Sequence, residues 1–151
     1  MKIKIVPMVE NFIPPVRAHY NDAGIDCYAL SDFDLVPMSA KNYNIQMQEV
    51  PSNNATKIPL GFAIYVPDGY MATIRPRSSM NAKGIITQIG TIDSGYHGEL
   101  QCVLMNCSTT PYHFSRGDRI CQLVFEPVTI VDFATEIEDT RGEGGFGSTG
   151  K

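Results

Sequence analysis

The chain has no excess of positive charge: 12 lysines and arginines face 16 aspartates and glutamates, a formal net charge of -4 over 151 residues. A general nucleic-acid binder needs clustered basic residues to replace the counterions of a phosphate backbone, so that role is excluded. A small anionic ligand is not excluded, because a few arginines can converge locally. No apolar stretch reaches membrane-spanning length, and no secretory leader pattern precedes the first strand-like run, so no membrane partner is expected. The four cysteines, Cys27, Cys102, Cys107 and Cys121, never fall at C-x-x-C spacing. They read as buried reduced thiols in a reducing, cytoplasmic compartment. Asn54-Ala55-Thr56 and Asn106-Cys107-Ser108 match the glycosylation triplet, and without a secretory signal they read as accidental. His19, His97 and His113 form no zinc pattern and read as surface or packing groups. There is no internal repeat.

What is present is a composition ordinary for one globular domain, 43% hydrophobic and 19% charged. The pattern is all-β. Lys2 to Val6 alternates, and Ile58 to Val66, Tyr70 to Ile74, Glu99 to Met105, Arg119 to Phe125 and Val128 to Phe133 are short runs rich in strand formers. Turn signals at Pro67-Asp68-Gly69, Asp93-Ser94-Gly95 and Arg116-Gly117-Asp118 separate many of them. The one helix signal is Ser78 as an N-cap before Met80 to Lys83. Many short strands with regular turns predict a β-sandwich or distorted jelly-roll. Residues 1–139 form this domain. Pro51 to Lys57 is polar and reads as an exposed loop.

Thr140 to Lys151 carries five glycines and almost nothing apolar, so it cannot fold on its own and reads as a flexible Gly-rich C-terminal arm, residues 140–151. Gly142 to Gly147 matches G-x-G-x-x-G, and Gly145 to Lys151 mimics the start of a P-loop. Neither is followed by the helix those motifs require. Glycine amides can still wrap a phosphate. Ser148 and Thr149 add hydroxyls and Arg141 a forked cation, while Phe146 is a lone aromatic suited to stacking on a base.

Asp93 lies at a tight turn, where an aspartate usually bonds its own backbone. Its context is wider. AGIDCYA (23–29), RPRSSM (75–80), GTIDSGYHGE (90–99), GDRICQLV (117–124) and RGEGGFGSTG (141–150) follow one another in the chain. These segments resemble, in order, the five motifs of the trimeric dUTPase family. The resemblance implies a dUTPase-like jelly-roll assembled as a homotrimer with active sites between subunits, closed by the C-terminal arm as a lid. It implies hydrolysis of dUTP to dUMP and pyrophosphate with Mg²⁺, in the cytoplasm or a host cytosol if the chain is viral. Carried over by position, Asp93 would be the general base for the attacking water. Tyr96 would pack on the sugar and leave no room for a 2′-hydroxyl. The hairpin around Thr87 to Asp93, with Thr91 and Ile92, would read uracil beside a partner strand near Gln101. Arg77, Ser78 and Ser79 would contact phosphates, and Gln122 the α-phosphate or the water. Asp26 would steady the metal through its bound waters, with no direct protein ligand. Arg141, Phe146, Gly147, Ser148 and Thr149 would form the lid.

The chain departs from the family pattern at Cys27 for leucine, Cys121 for alanine and His97 for arginine, and residues 44 to 57 are longer than the usual connection. None of these removes a proposed catalytic group. A dCTP deaminase shares the fold, but its catalytic glutamate would fall at Val103 and its arginine at Ala82. A binding or regulatory protein on the same scaffold is the rival from a different class. It would be favoured by loss of the base or the arm, and both are kept.

Overall fold

The structure is a computed structural model describing residues 2–39 and 55–133. Eleven strands and one short helix make up these residues. In chain order they are β1 (Lys4–Pro7), β2 (Ile25–Tyr28), β3 (Phe33–Leu35), β4 (Thr56–Pro59), β5 (Phe62–Tyr65), β6 (Tyr70–Arg75), α1 (Ser78–Asn81), β7 (Ile85–Thr87), β8 (Gly90–Ile92), β9 (Gln101–Asn106), β10 (Tyr112–Phe114) and β11 (Arg119–Pro127). A four-stranded sheet runs β2-β11-β6-β8 and a three-stranded sheet β4-β9-β7, with the two-stranded pairs β1-β5 and β10-β3 beside them. Every strand pair is antiparallel. This is the expected all-β, jelly-roll-like fold.

Alternation dictates what each strand buries. On β9, Cys102, Leu104 and Asn106 turn inward, while Gln101, Val103 and Met105 face out. On β11 the rule breaks once: Ile120 and Cys121 are both buried, at the register shift between Arg119 and Cys121. A bulge inserts the extra residue there. Phe62, Phe114, Leu35, Leu60, Ile85 and Leu104 are among the fully buried side chains of the core. Asn106 is the buried polar exception. Its amide donates to Leu35 O and Thr110 O, both at 2.8 Å, and its oxygen accepts from the Ser108 amide at 2.9 Å. A buried amide so satisfied can remain in a core.

Several sequence expectations change in detail. The run Ile58 to Val66 is not one strand. β4 pairs with β9 and β5 with β1, so the chain passes between sheets at Leu60-Gly61. Val128 to Phe133 is not a strand either. It leaves β11 after Pro127 with Ile130, Val131 and Phe133 exposed at 82%, 64% and 97%. Strand propensity without a neighbouring edge to pair with does not make a strand. Ser78 is the first helical residue rather than the cap. Arg77 occupies the cap with extended backbone and makes no side-chain capping bond.

The cysteine expectation holds for three of the four. Cys27, Cys102 and Cys121 are buried and reduced, but Cys107 lies just past the end of β9 and is exposed. Cys27 and Cys121 are direct partners across β2 and β11. Hydrogen bonds with Cys102 and Cys27, and then burial, push the Cys121 thiol well above its ordinary range. A thiol that stays protonated and buried is inert. Titration with a thiol-specific reagent should therefore label Cys107 alone in the native protein and all four thiols after denaturation; fast native labelling of a second cysteine would contradict the buried cluster.

Candidate active site

Sequence-predicted residues gather in two groups. The first lies on the outer face of the four-stranded sheet. Register sets Gln122 opposite both Asp26 on β2 and Arg75 on β6, so the three side chains share a face. Asp26 is 14% exposed and accepts two guanidinium groups. Arg77 Nε reaches Oδ1 at 3.0 Å, and Arg119 Nη1 reaches Oδ2 at 3.3 Å. Arg77 Nη1 also donates to Arg119 O at 3.2 Å. The Gln122 amide donates to Pro76 O at 2.8 Å, which ties β11 to the corner where β6 enters α1. A Cβ at Gly24 would overlap the Gln122 carboxamide and would displace it from this position. Ser78 and Ser79 follow, both exposed. The first amide to bond back to Arg77 O is that of Met80, so the Ser78 and Ser79 amides precede the helical bonding.

The second group surrounds a groove of about 260 Å³ lined by Thr91, Ile92, Tyr96, Glu99, Gln101 and Val103, among others. Asp93 follows Ile92 directly and is exposed, and its carbonyl accepts the Tyr96 amide at 3.1 Å to close the turn. The Tyr96 hydroxyl donates to Glu99 O at 3.1 Å. The ring lies against Gly98, where any Cβ would collide with it. Glu99 is itself anchored, accepting the Gly61 amide at 3.0 Å. His97 packs at a tilt against Tyr65 of β5, ring centroids 4.4 Å apart, and Lys4 sits 4.9 Å from the centre of the same Tyr65 ring. Thr87 differs from the rest. Its side chain is buried with Ile85, and its hydroxyl has no partner among the described residues.

The expected hairpin around Thr87 to Asp93 takes a different form. β7 pairs with β9 and β8 pairs with β6, so the segment is a corner between sheets rather than a paired hairpin. Thr91 and Ile92 at that corner line one groove with Gln101. Arg119, Gly98 and Gly24 were missed as site-shaping residues. Each lies inside or beside a quoted motif, but its partner is remote in sequence or its function is the absence of a side chain. Arg141, Phe146, Gly147, Ser148 and Thr149 lie outside the described residues, as do most of residues 44 to 57.

The two groups lie on one sheet, in which β8 pairs with β6 at Gly90 and Ile74. Among the described residues, no hydrogen bond or ion pair joins Asp93 or Tyr96 to Asp26, Arg77 or Gln122. Nor is there, among the described residues, a set of three His, Cys, Asp or Glu side chains able to hold a metal. His19 pairs with Asp22 and His113 with Asp34. A cation at this site would therefore have to bring most of its ligands with it. Mg²⁺ fits that donor set, because it is commonly held by one or two carboxylates, substrate phosphates and retained waters.

The shared acceptor at Asp26 can be tested on its own. Asp26→Asn should lower stability by about 1.5–3 kcal/mol, the usual worth of a hydrogen bond to a charged group. Denaturant unfolding measures this, and an unchanged midpoint would show that the two arginines do not depend on Asp26.

Comparison with known proteins places these motifs. A family model described as dUTPase matches residues 42–150. The deoxyuridine 5′-triphosphate nucleotidohydrolase of Gloeobacter violaceus is 36% identical over 156 residues, covering 99% of this chain and 97% of that protein. That of Finegoldia magna is 37% identical over 158 residues, covering 99% of each. Among solved structures, a mutant dUTPase of Staphylococcus bacteriophage 80alpha with dUpNHpp is 25% identical, with a TM-score of 0.78 and 99% of each chain covered. A phage phi11 dUTPase mutant, described as revealing coordination of a structural Mg(II) ion, shares the fold at 23% identity and a TM-score of 0.74, with 93% of this chain and 99% of that one covered.

Proposed function

Because the chain belongs to the dUTPase family, we propose that it hydrolyses dUTP to dUMP and pyrophosphate, limiting dUTP and supplying dUMP. The observation that carries the reading is the groove in which Thr91, Ile92, Tyr96 and Gln101 converge, with Asp93 directly after Ile92. A partly apolar slot with backbone edges and one amide suits a pyrimidine. The Tyr96 ring, fixed by Glu99 and Gly98, forms a wall that excludes a ribose 2′-hydroxyl. Val103 lines the same groove with an aliphatic side chain where a deaminase would place its glutamate, and Glu99 is committed to the Gly61 amide.

In the reaction, water bonds to the α-phosphorus, the bridge to the β-phosphate breaks, and pyrophosphate departs. Asp93, exposed at its turn, orients the water and accepts its proton. Arg77, with the Ser78 and Ser79 amides and hydroxyls, holds phosphate oxygens. Gln122 presents its remaining amide hydrogen to the α-phosphate or the water. Asp26 holds Arg77 in place and would steady bound Mg²⁺ through its waters. Bound Mg²⁺ would neutralise the triphosphate and fix its geometry. The arm, residues 140–151, closes the site, with Phe146 on uracil and Arg141, Gly147, Ser148 and Thr149 on the outer phosphates.

The lack of a hydrogen bond or ion pair between the two groups, among the described residues, is consistent with a site assembled between copies, in a homotrimer. One copy supplies Asp93, Tyr96 and the groove, another supplies Asp26, Arg77 and Gln122. A regulatory role besides catalysis is a second reading. It is favoured by the phage 80alpha dUTPase described as controlling transfer of virulence genes, which is 26% identical with a TM-score of 0.77.

Pyrophosphate release should be fast from dUTP with Mg²⁺ and lower by a factor on the order of 10⁴ from dCTP, whose ring leaves polar groups of the slot unpaired. Asp93→Asn should fold as the wild type and lose roughly 10²–10⁴ in kcat, the usual worth of a general base. Comparable turnover of dCTP or UTP, or wild-type kcat in the variant, would refute the assignment.

A further inference from the structure

A second groove, of about 200 Å³, opens beside Arg77 and is lined by Arg77, Ser79, Lys83, Tyr112, Asp118 and Arg119, with Met80 and Phe114 at its base. Three cationic heads enter it. Asp26 takes part of the charge of two, Arg77 and Arg119, from the sheet side. Of the groove's own groups, Asp118 is engaged with the Ser115 amide at 2.9 Å. Lys83 is different. Its ammonium donates to the Tyr112 hydroxyl at 2.9 Å and stands 5.1 Å from the centre of that ring. Tyr112 is in turn fixed on β10, paired with Leu35 and packed on the Phe114 ring at 4.8 Å. Among the described residues, no carboxylate pairs with Lys83. A surface lysine normally wanders in solvent. This one is held in place by a neutral partner, with two of its three donors left over.

A positioned ammonium that no carboxylate pairs with among the described residues, next to an arginine and a serine hydroxyl, is a place for an anion of high charge density. We propose that this groove is a pyrophosphate subsite: Lys83 grips the outer phosphates of the substrate and then the departing pyrophosphate, and Tyr112 positions Lys83. The inference rests on the proposed function for the identity of the substrate, and it adds two residues that lie outside the roles given above. Lysine acts here as a point charge that a spherical, multiply charged group can approach from several directions.

The groove can be tested apart from catalysis by calorimetry. Inorganic pyrophosphate with Mg²⁺ is titrated into the full-length wild type, Lys83→Gln, Lys83→Arg and Tyr112→Phe, with dUMP as a parallel ligand. Loss of a charge-assisted bond should weaken pyrophosphate binding about tenfold or more in Lys83→Gln. Lys83→Arg should retain most of it and Tyr112→Phe should fall between, while dUMP binds alike to all four. Equal pyrophosphate affinity in wild type and Lys83→Gln, equal weakening of dUMP, or no pyrophosphate binding by the wild type would each overturn the assignment. A wild type that binds pyrophosphate through Lys83 but does not cleave dUTP would refute the proposed function and leave the groove assignment standing.

Discussion

One carboxylate between two guanidinium groups organises this face of the molecule. Asp26 lies largely buried, and a lone charge there would be expensive to desolvate. Arg77 and Arg119 compensate it from two directions, and each is fixed by doing so. Three parts of the chain are thereby locked: β2, the corner from β6 into α1, and the start of β11. The bond from Gln122 to Pro76 O closes the same ring of contacts one residue along the sheet. Placement of the proposed phosphate contacts follows from this arrangement. Arg77 is held with its guanidinium toward β11, and the serines after it are left at the surface.

The long strands and the site motifs were legible in the sequence, because each carries either a sustained pattern or a set of residue types in a fixed order. β6, β9 and β11 were read within a residue or two of their bounds. β3, β7, β8 and β10 have three residues each, too few for any periodicity to register. The division of Ile58 to Val66 was hidden for the opposite reason. Both halves are apolar because both are buried, and nothing in the composition marks where the chain changes sheets. Val128 to Phe133 misled through propensity, which promises a strand only where an edge is available. In the site, Asp93, Tyr96 and Gln122 stand out as residue types, but the Asp26–Arg119 contact joins positions 93 apart in sequence. The exposed Cys107 was misread because the strand ends one residue before it.

The architecture divides the proposed chemistry. Asp93 and the proposed pyrimidine slot sit at the β8 corner, and the proposed phosphate contacts Arg77 and Gln122 sit on the sheet face. Among the described residues no hydrogen bond or ion pair joins Asp93 or Tyr96 to Arg77 or Gln122, although β8 and β6 are paired. In the proposed homotrimer the base of one copy would act on a substrate held by the phosphate contacts of another, which would make assembly part of the proposed mechanism.

Complementation between inactive variants tests this most directly. Asp93→Asn lacks the base and keeps the phosphate grip; Arg77→Met has the reverse defect. Refolded together in equal amounts, they rebuild a site wherever Asp93 comes from an Arg77→Met chain and Arg77 from an Asp93→Asn chain. Random mixing in a closed trimer makes that about one quarter of sites, so about a quarter of wild-type activity should return from two inactive proteins. If both groups serve the same site from the same chain, no mixed assembly regains activity, and a null result with subunit exchange confirmed by mass would contradict the account.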